Sequence, residues 1–110
     1  MKSARKYKAE PITVDGIRFD SKKEARRWCA LLLLQRGGVI SGLERQVKIA
    51  LVGQCGSILT PKGRQAYYVA DFVYWEDGVK VIEDAKGYKT AEYLLKRAIL
   101  AAQGIVIRET

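Results

Sequence analysis

Residues 66–86, AYYVADFVYWEDGVKVIEDAK, contain two apolar strands joined at Asp77-Gly78, a dipeptide that strongly favours a tight two-residue turn. In a type I′ turn the two residues that flank the dipeptide pair with each other. The same register, continued along both strands, sets Asp71 opposite Asp84. A turn that is one residue longer or shorter would set Asp71 opposite Glu83 instead. The stretch therefore predicts a β-hairpin with two acids facing each other at the end away from the turn.

The facing acids need a cation. Carboxylates directly opposite each other lie about 4.5 to 5.5 Å apart at their Cβ atoms and repel. Because side chains alternate along a strand, Asp84 and Lys86 share one face and Glu83 points to the other. A divalent cation held by Asp71 and Asp84, with Lys86 beside it to offset charge or orient a water, explains the pattern. An exposed salt bridge between Asp84 and Lys86 is the alternative, and Glu83 is expected to have a supporting or surface role.

The segments around this hairpin alternate between strand and helix signals. Residues 21–38 predict a helix, with Ser21 as N-cap, Glu24 as its capping-box partner and two glycines as the stop. The remaining predicted elements are a small hairpin at 12–20, a strand at 44–53, a basic loop at 53–65, a helix at 90–104 and a strand at 105–109. This order predicts an α/β fold with helices packed on a sheet, rather than a doubly wound fold.

Helical periodicity predicts which helix faces are buried. The first helix is expected to bury a stripe of four residues, with Glu24 on its flank: Ala25, Trp28, Cys29 and Leu32. The second is expected to bury Leu94, Leu95, Ala98 and Ala102 and to leave Tyr93, Lys96 and Arg97 outside. Phe72, like Trp28, is expected in the core.

Length and charge limit the functional classes. The 110 residues fit a basic flexible arm at 1–11 and one domain at 12–110. A formal net charge of +8 makes nucleic acid the first partner to consider, with a solubilising surface as the alternative. The longest apolar run, residues 29–34, is too short to span a bilayer, so no membrane partner is expected. No apolar segment follows the basic N-terminus, which predicts a cytoplasmic protein.

The chain contains no histidine. This excludes Ser-His-Asp and Cys-His catalysis, His-ligated zinc and any nuclease with a His general base. Cys29 and Cys55 form no CxxC motif and are expected to be reduced. Any catalysis would therefore depend on carboxylates and lysines. Carboxylate oxygens favour Mg²⁺ or Mn²⁺ as the metal ion.

Four motifs taken together resemble the PD-(D/E)xK nuclease superfamily, and within it a small phage-encoded endonuclease group. They are VDGIRFDSKKEARRW (14–28), ERQ (44–46), YVADFVYWEDG (68–78) and EDAKGYKT (83–90). The resemblance covers most of the chain. Ala70 stands where the name-giving proline would precede the aspartate, at a position that varies widely in the superfamily.

The resemblance implies a fold and a site. The fold is an αβββαβ restriction-endonuclease-like core, a mixed central sheet flanked by two helices, here preceded by a short hairpin. Asp71, Asp84 and the Ala85 carbonyl would bind Mg²⁺ or Mn²⁺, and Lys86 would lie near the attacking water. Glu24 would complete the site through metal-bound water, unless it only caps Ser21.

The implied activity is metal-dependent hydrolysis of phosphodiester bonds in double-stranded or branched DNA, structure-selective or weakly sequence-specific, as in nicking or recombination. A monomer would nick and a homodimer would cut both strands. The alternatives are a non-cleaving DNA-binding or recombination accessory protein and a basic structural or RNA-associated protein. The candidate nucleic-acid contacts, each with an ordinary surface role as its alternative, are Gln46, Lys62, Arg64, Lys89, Lys96 and Arg97.

Overall fold

The computed structural model describes residues 10–110. The elements in chain order are β1 (Ile12–Val14), β2 (Ile17–Phe19), α1 (Lys22–Arg36), β3 (Ser41–Ala50), β4 (Val52–Gly53), β5 (Gly56–Ser57), β6 (Tyr67–Glu76), β7 (Val79–Asp84), α2 (Ala91–Ala102) and β8 (Ile107–Glu109). Of the predicted arm at 1–11, only Glu10 and Pro11 belong to the described residues.

Two Asp-Gly turns build the two hairpins that the sequence predicts. Asp15 and Gly16 join β1 to β2 with φ values of 51° and 80°, and Asp77 and Gly78 join β6 to β7 with φ values of 52° and 76°. Positive φ at both central residues is the type I′ geometry, which matches the twist of paired strands. Both hairpins are therefore confirmed.

The central sheet is mixed, with the strand order β3-β6-β7-β8. The pairs β3–β6 and β6–β7 are antiparallel, and β7–β8 is parallel. Parallel neighbours require a crossover, and α2 supplies it between β7 and β8. The chain is thus a mixed α/β fold with two helices around a mixed sheet.

The two helices cover opposite faces of the sheet. Leu31 of α1 packs in one apolar cluster with Tyr74 and Val81, whereas Leu100 of α2 packs in another with Val73 and Ile82. Consecutive strand residues point to opposite faces, so these clusters lie on the two sides. Trp28 stacks on buried Phe72 with ring centroids 6.0 Å apart, which confirms both residues as part of the core. Neither helix in this part of the chain has the length and apolarity needed to cross a membrane.

The predicted buried stripe of α1 is partly wrong. Ala25 is buried, but Cys29 is exposed, and the fully buried leucine is Leu31 rather than Leu32. Residues 29–34 are apolar on every side of the helix, so periodicity does not identify the inward side there. Cys29 instead lines an apolar groove between α1 and the N-terminal hairpin, beside Ile12.

The predicted buried face of α2 is also wrong. The four residues expected inside are all exposed: Leu94, Leu95, Ala98 and Ala102. Tyr93 and Leu100 are buried instead. Lys96 and Arg97, expected outside, lie on this inward side of α2. Their long stems are half-buried, and their charged ends reach polar partners.

The segment between β3 and β6, predicted as a basic loop, contains regular structure. It includes the short hairpin β4–β5 and an isolated bridge between Leu59 and Gln65. The Gln65 amide donates to the carbonyls of Leu51 and Ala66, which ties the segment to the strand ends. Lys62 and Arg64 are exposed at its tip.

Candidate active site

Asp71 and Asp84 interlock where the β6–β7 ladder ends. The regular pairing runs from Glu76 opposite Val79 to Phe72 opposite Glu83, which confirms the predicted register and excludes the pairing of Asp71 with Glu83. Beyond it, the Asp71 amide donates to Asp84 Oδ1 at 2.9 Å and the Ala85 amide donates to Asp71 Oδ2 at 3.0 Å. Each carboxylate is thus anchored by the backbone of the opposite strand.

Lys86 lies beside this pair. Its Nζ is 3.6 Å from Asp84 Oδ2 and 4.2 Å from the centre of the Tyr93 ring. Its backbone is fixed on both sides, because its amide donates to Thr110 O at 3.1 Å and its carbonyl accepts from Lys23 Nζ at 2.7 Å. The end of β7 is therefore held between α1 and β8, with the ammonium directed to Asp84.

Glu24 enters the site from the first turn of α1. Its amide donates to Ser21 Oγ at 3.1 Å, so the predicted N-cap is confirmed. Its carboxylate, in a residue only 4% exposed, accepts a bond from Gln46 Nε2 at 3.1 Å. Burial and the nearby charges of Asp71 and Asp20 raise the pKa of Glu24 to about 7. The side chain thus belongs to the acidic site as well as to the capped turn.

Gln46 occupies an unusual backbone conformation within β3. Its φ of 54° lies in the left-handed region, which is costly for a residue other than glycine. The neighbouring pairs are Arg45 with Phe72 and Val47 with Ala70, so Gln46 lies level with Asp71. Its amide donates to Glu24, and its side chain also lowers the pKa of the Asp71 carboxyl. Sequence patterns reveal the glutamine but not this conformation.

Both aspartates of the site are shielded from water. Burial raises the pKa of Asp71 and of Asp84, against the opposing effects of the backbone bonds and of Lys86. Asp84 Oδ2 is buried and accepts no hydrogen bond. A buried carboxylate oxygen without a donor is the feature that a hard divalent cation would satisfy.

A cation here would depend on few side chains. Within residues 10–110, no three His, Cys, Asp or Glu side chains converge closely enough to hold a metal ion by themselves. The Asp71 and Asp84 carboxylates and the Ala85 carbonyl are the candidates for direct oxygen ligands. Glu24 fits the role through water that the resemblance implies for it. The donor set is all oxygen, which suits Mg²⁺ or Mn²⁺.

Glu83 is buried on the other face of β7, away from Asp84. It accepts bonds from Arg27 Nε at 2.5 Å, Arg27 Nη2 at 3.1 Å, the Tyr74 hydroxyl and Thr110 Oγ1 at 3.0 Å. Burial favours its protonation, but these donors outweigh that effect and lower the pKa of Glu83. This network connects α1 to β7 through Arg27, which lies about one helical turn after Glu24. Sequence analysis missed Arg27, although its spacing of three residues from Glu24 places both on one side of the helix.

The basic residues predicted to contact nucleic acid lie in different surroundings. Lys96 Nζ donates to Tyr67 O and pairs with Glu92, whereas Lys89 and Arg97 both contact Glu109. Hydrogen bonds from Tyr93, Arg97 and Lys89 hold the pKa of Glu109 at about 2. The surface of α2 thus carries cations that are already partnered by carboxylates.

Comparison with known protein families gives a match over nearly the whole chain. The model of a family described as protein of unknown function (DUF1064) matches residues 4–110, almost the whole chain. No curated protein and no solved structure matches the chain significantly.

Proposed function

The chain belongs to the DUF1064 family, and we propose that it is a metal-dependent DNA endonuclease on a restriction-endonuclease-like αβββαβ core. The main elements have that order: α1, the antiparallel strands β3, β6 and β7, the crossover helix α2 and the parallel strand β8. The motifs that resemble PD-(D/E)xK nucleases lie on α1, β6 and β7 and on the turn after β7. The fold and the motifs therefore support the same proposal.

The observation that carries the proposal is the environment of Asp84. Its carboxylate is buried, interlocked with Asp71, 3.6 Å from Lys86 Nζ, and has one oxygen without a hydrogen-bond donor. A sheet stabilised only by packing would not be expected to retain two facing acids here, one of them buried with an oxygen that accepts no hydrogen bond, because burying a carboxylate costs free energy. A site built to hold a cation explains both.

Different residues of the site would have different roles in the reaction. Asp71, Asp84 and the Ala85 carbonyl would hold Mg²⁺ or Mn²⁺. When bound, such an ion lowers the pKa of water and stabilises charge on a scissile phosphate. Lys86, fixed by its backbone bonds and by the Tyr93 ring, is placed to orient a water or to offset phosphate charge. Gln46 would hold the carboxylate of Glu24 in position through its amide.

DNA is the substrate that the charge of the chain favours. The net charge of +8 and the exposed Lys62 and Arg64 suit contacts with phosphates. Contacts of this kind position a duplex without reading its bases. We therefore expect cleavage or nicking of double-stranded or branched DNA with little sequence preference, as suits a phage-encoded enzyme of recombination.

A plasmid assay tests the proposal. Supercoiled and branched DNA are incubated with the protein in Mg²⁺, Mn²⁺ or EDTA, and the products are separated on gels. We expect cleavage that needs the metal, is abolished by Asp84→Asn or Lys86→Ala, and persists in the controls Asp77→Asn and Lys80→Ala. The controls remove an exposed acid from the β6–β7 turn and an exposed lysine from β7.

Two results would contradict the proposal. Cleavage that survives equally in Asp84→Asn and Lys86→Ala would place the chemistry elsewhere. Tight DNA binding without cleavage under any metal condition would favour the non-cleaving accessory protein.

A further inference from the structure

Three donors surround the carboxylate of Glu109 at the end of β8. The Tyr93 hydroxyl donates to Oε2 at 2.5 Å, and Arg97 Nη1 donates to the same oxygen at 2.7 Å. Lys89 Nζ lies 3.3 Å from Oε1. Two cations and a hydroxyl around one carboxylate leave this group of residues with a net positive charge. We refer to Lys89, Tyr93 and Arg97 as the Glu109 cradle.

The cradle adjoins the candidate active site. Glu109 pairs with Asp84 in the parallel register of β7 and β8, so both side chains point to the α2 face of the sheet. The Tyr93 ring lies between the two groups, with Lys86 Nζ over its face and its hydroxyl on Glu109. A ligand in the cradle would therefore be separated from Lys86 by one phenol ring.

We propose that the Glu109 cradle binds a DNA backbone phosphate next to the scissile one, and that Glu109 occupies this position until DNA displaces it. Phosphate oxygens accept the same charge-assisted bonds from Arg and Lys as a carboxylate does. The cradle is open to solvent, because the side chains of Lys89, Arg97 and Glu109 are 47%, 42% and 24% exposed. Glu109 thus acts as an internal competitor that weakens DNA binding.

The proposal takes DNA as ligand from the proposed function, but it does not depend on cleavage. Glu109→Gln removes the competing charge while keeping an oxygen that accepts from Tyr93. Glu92→Gln is the matched control, because it removes the same charge from α2, where Glu92 pairs with Lys96 at 3.0 Å and is 75% exposed. A general charge effect would act on both variants equally. Displacement of Glu109 by phosphate would act on Glu109→Gln alone.

The experiment measures the affinity for a fluorescein-labelled DNA duplex by anisotropy, in EDTA, over a series of salt concentrations. We expect Glu109→Gln to bind about three- to tenfold more tightly than wild type, and Glu92→Gln to stay close to wild type. Arg97→Gln should bind more weakly, with the slope of log affinity against log salt reduced by about 0.9 for one lost phosphate contact.

The proposal would be overturned if the affinity for duplex rose equally in Glu109→Gln and Glu92→Gln, or rose in neither. It would also be overturned if the wild type bound no duplex at low salt. Thermal melts show whether Glu109→Gln folds. If Glu109→Gln does not fold, Arg97→Gln provides the test. An affinity and a salt slope in Arg97→Gln equal to those of wild type would overturn the proposal. Duplex binding that follows the expected pattern, together with absent cleavage in Mg²⁺ and Mn²⁺, would refute the endonuclease and leave the cradle in place.

Discussion

The left-handed backbone of Gln46 leads to a prediction in which the glycine and alanine variants differ in stability but lose activity alike. Gln46→Ala and Gln46→Gly both remove the amide that bonds Glu24, but only the glycine also relieves the strain at φ 54°. The left-handed region costs an L-residue about 1 to 2 kcal/mol. Glycine offsets part of that relief through the greater entropy of its unfolded chain, about 0.4 to 1 kcal/mol. The glycine variant should therefore be more stable than the alanine variant by about 0.5 to 1 kcal/mol.

The comparison has a built-in control at Lys48, an exposed residue of the same strand without a positive φ. At such a position glycine is less stable than alanine by about 0.5 to 1 kcal/mol. The order of the two variants should therefore reverse between Gln46 and Lys48. Urea denaturation in EDTA gives the four free energies of unfolding. A glycine that is less stable than alanine at both positions would show that Gln46 is not held in a strained conformation.

Activity should fall in both Gln46 variants. A hydrogen bond to a charged group contributes about 1.5 to 3 kcal/mol, so loss of the bond that positions Glu24 predicts a decrease in kcat/KM of about 10- to 100-fold. The Lys48 variants should change cleavage little. Strain kept at a functional residue explains why the glycine variant, although more stable than the alanine variant, would regain no activity. Full cleavage by Gln46→Gly would refute the positioning role of the amide.

Three further predictions concern the buried charges. Arg27→Ala leaves the buried Glu83 without its cationic partner, so the free energy of unfolding should fall by about 3 to 5 kcal/mol. Substitution of its exposed neighbour, Arg26→Ala, should change the free energy of unfolding little. Nearly equal free energies of unfolding for the two variants would refute the network. Burial raises the folded pKa of Glu24 from 4.5 to about 7, so the metal-free fold loses stability as the pH rises between these two values, and the loss is complete above pH 7. In urea titrations with EDTA, Glu24→Gln should therefore be more stable than wild type by about 3 kcal/mol at pH 8 and close to wild type at pH 4.5. Glu24→Gln that is no more stable than wild type at pH 8 would contradict the burial of this charge. Mn²⁺ in excess should raise the Tm of wild type but not of Asp84→Asn, and equal shifts in both would place the ion elsewhere.

The hairpin at the centre of the site was predictable because one dipeptide determines its geometry. Asp77-Gly78 favours a type I′ turn, the turn determines the register, and the register brings Asp71 to Asp84. Alternation along β7 then separates Glu83 from Asp84, as the structure bears out. These are local rules that operate over a few residues, so the sequence alone is sufficient for them.

The helix faces and Gln46 were not predictable in the same way. Residues 29–34 and most of α2 are apolar on more than one side, so periodicity leaves the inward side open until tertiary contacts select it. The left-handed backbone of Gln46 was likewise not signalled, because glutamine is not among the residue types that favour positive φ. The partner of Glu109 on α2 depends on the crossover that brings β8 beside β7.

The most direct test of the central claim is an anomalous difference map from crystals of the protein soaked in Mn²⁺. The account predicts a peak bound by Asp71, Asp84 and the Ala85 carbonyl, at oxygen distances of about 2.0 to 2.2 Å, and its loss in Asp84→Asn crystals. A map with no peak between Asp71 and Asp84 in the wild type, or with an unchanged peak in Asp84→Asn, would contradict it.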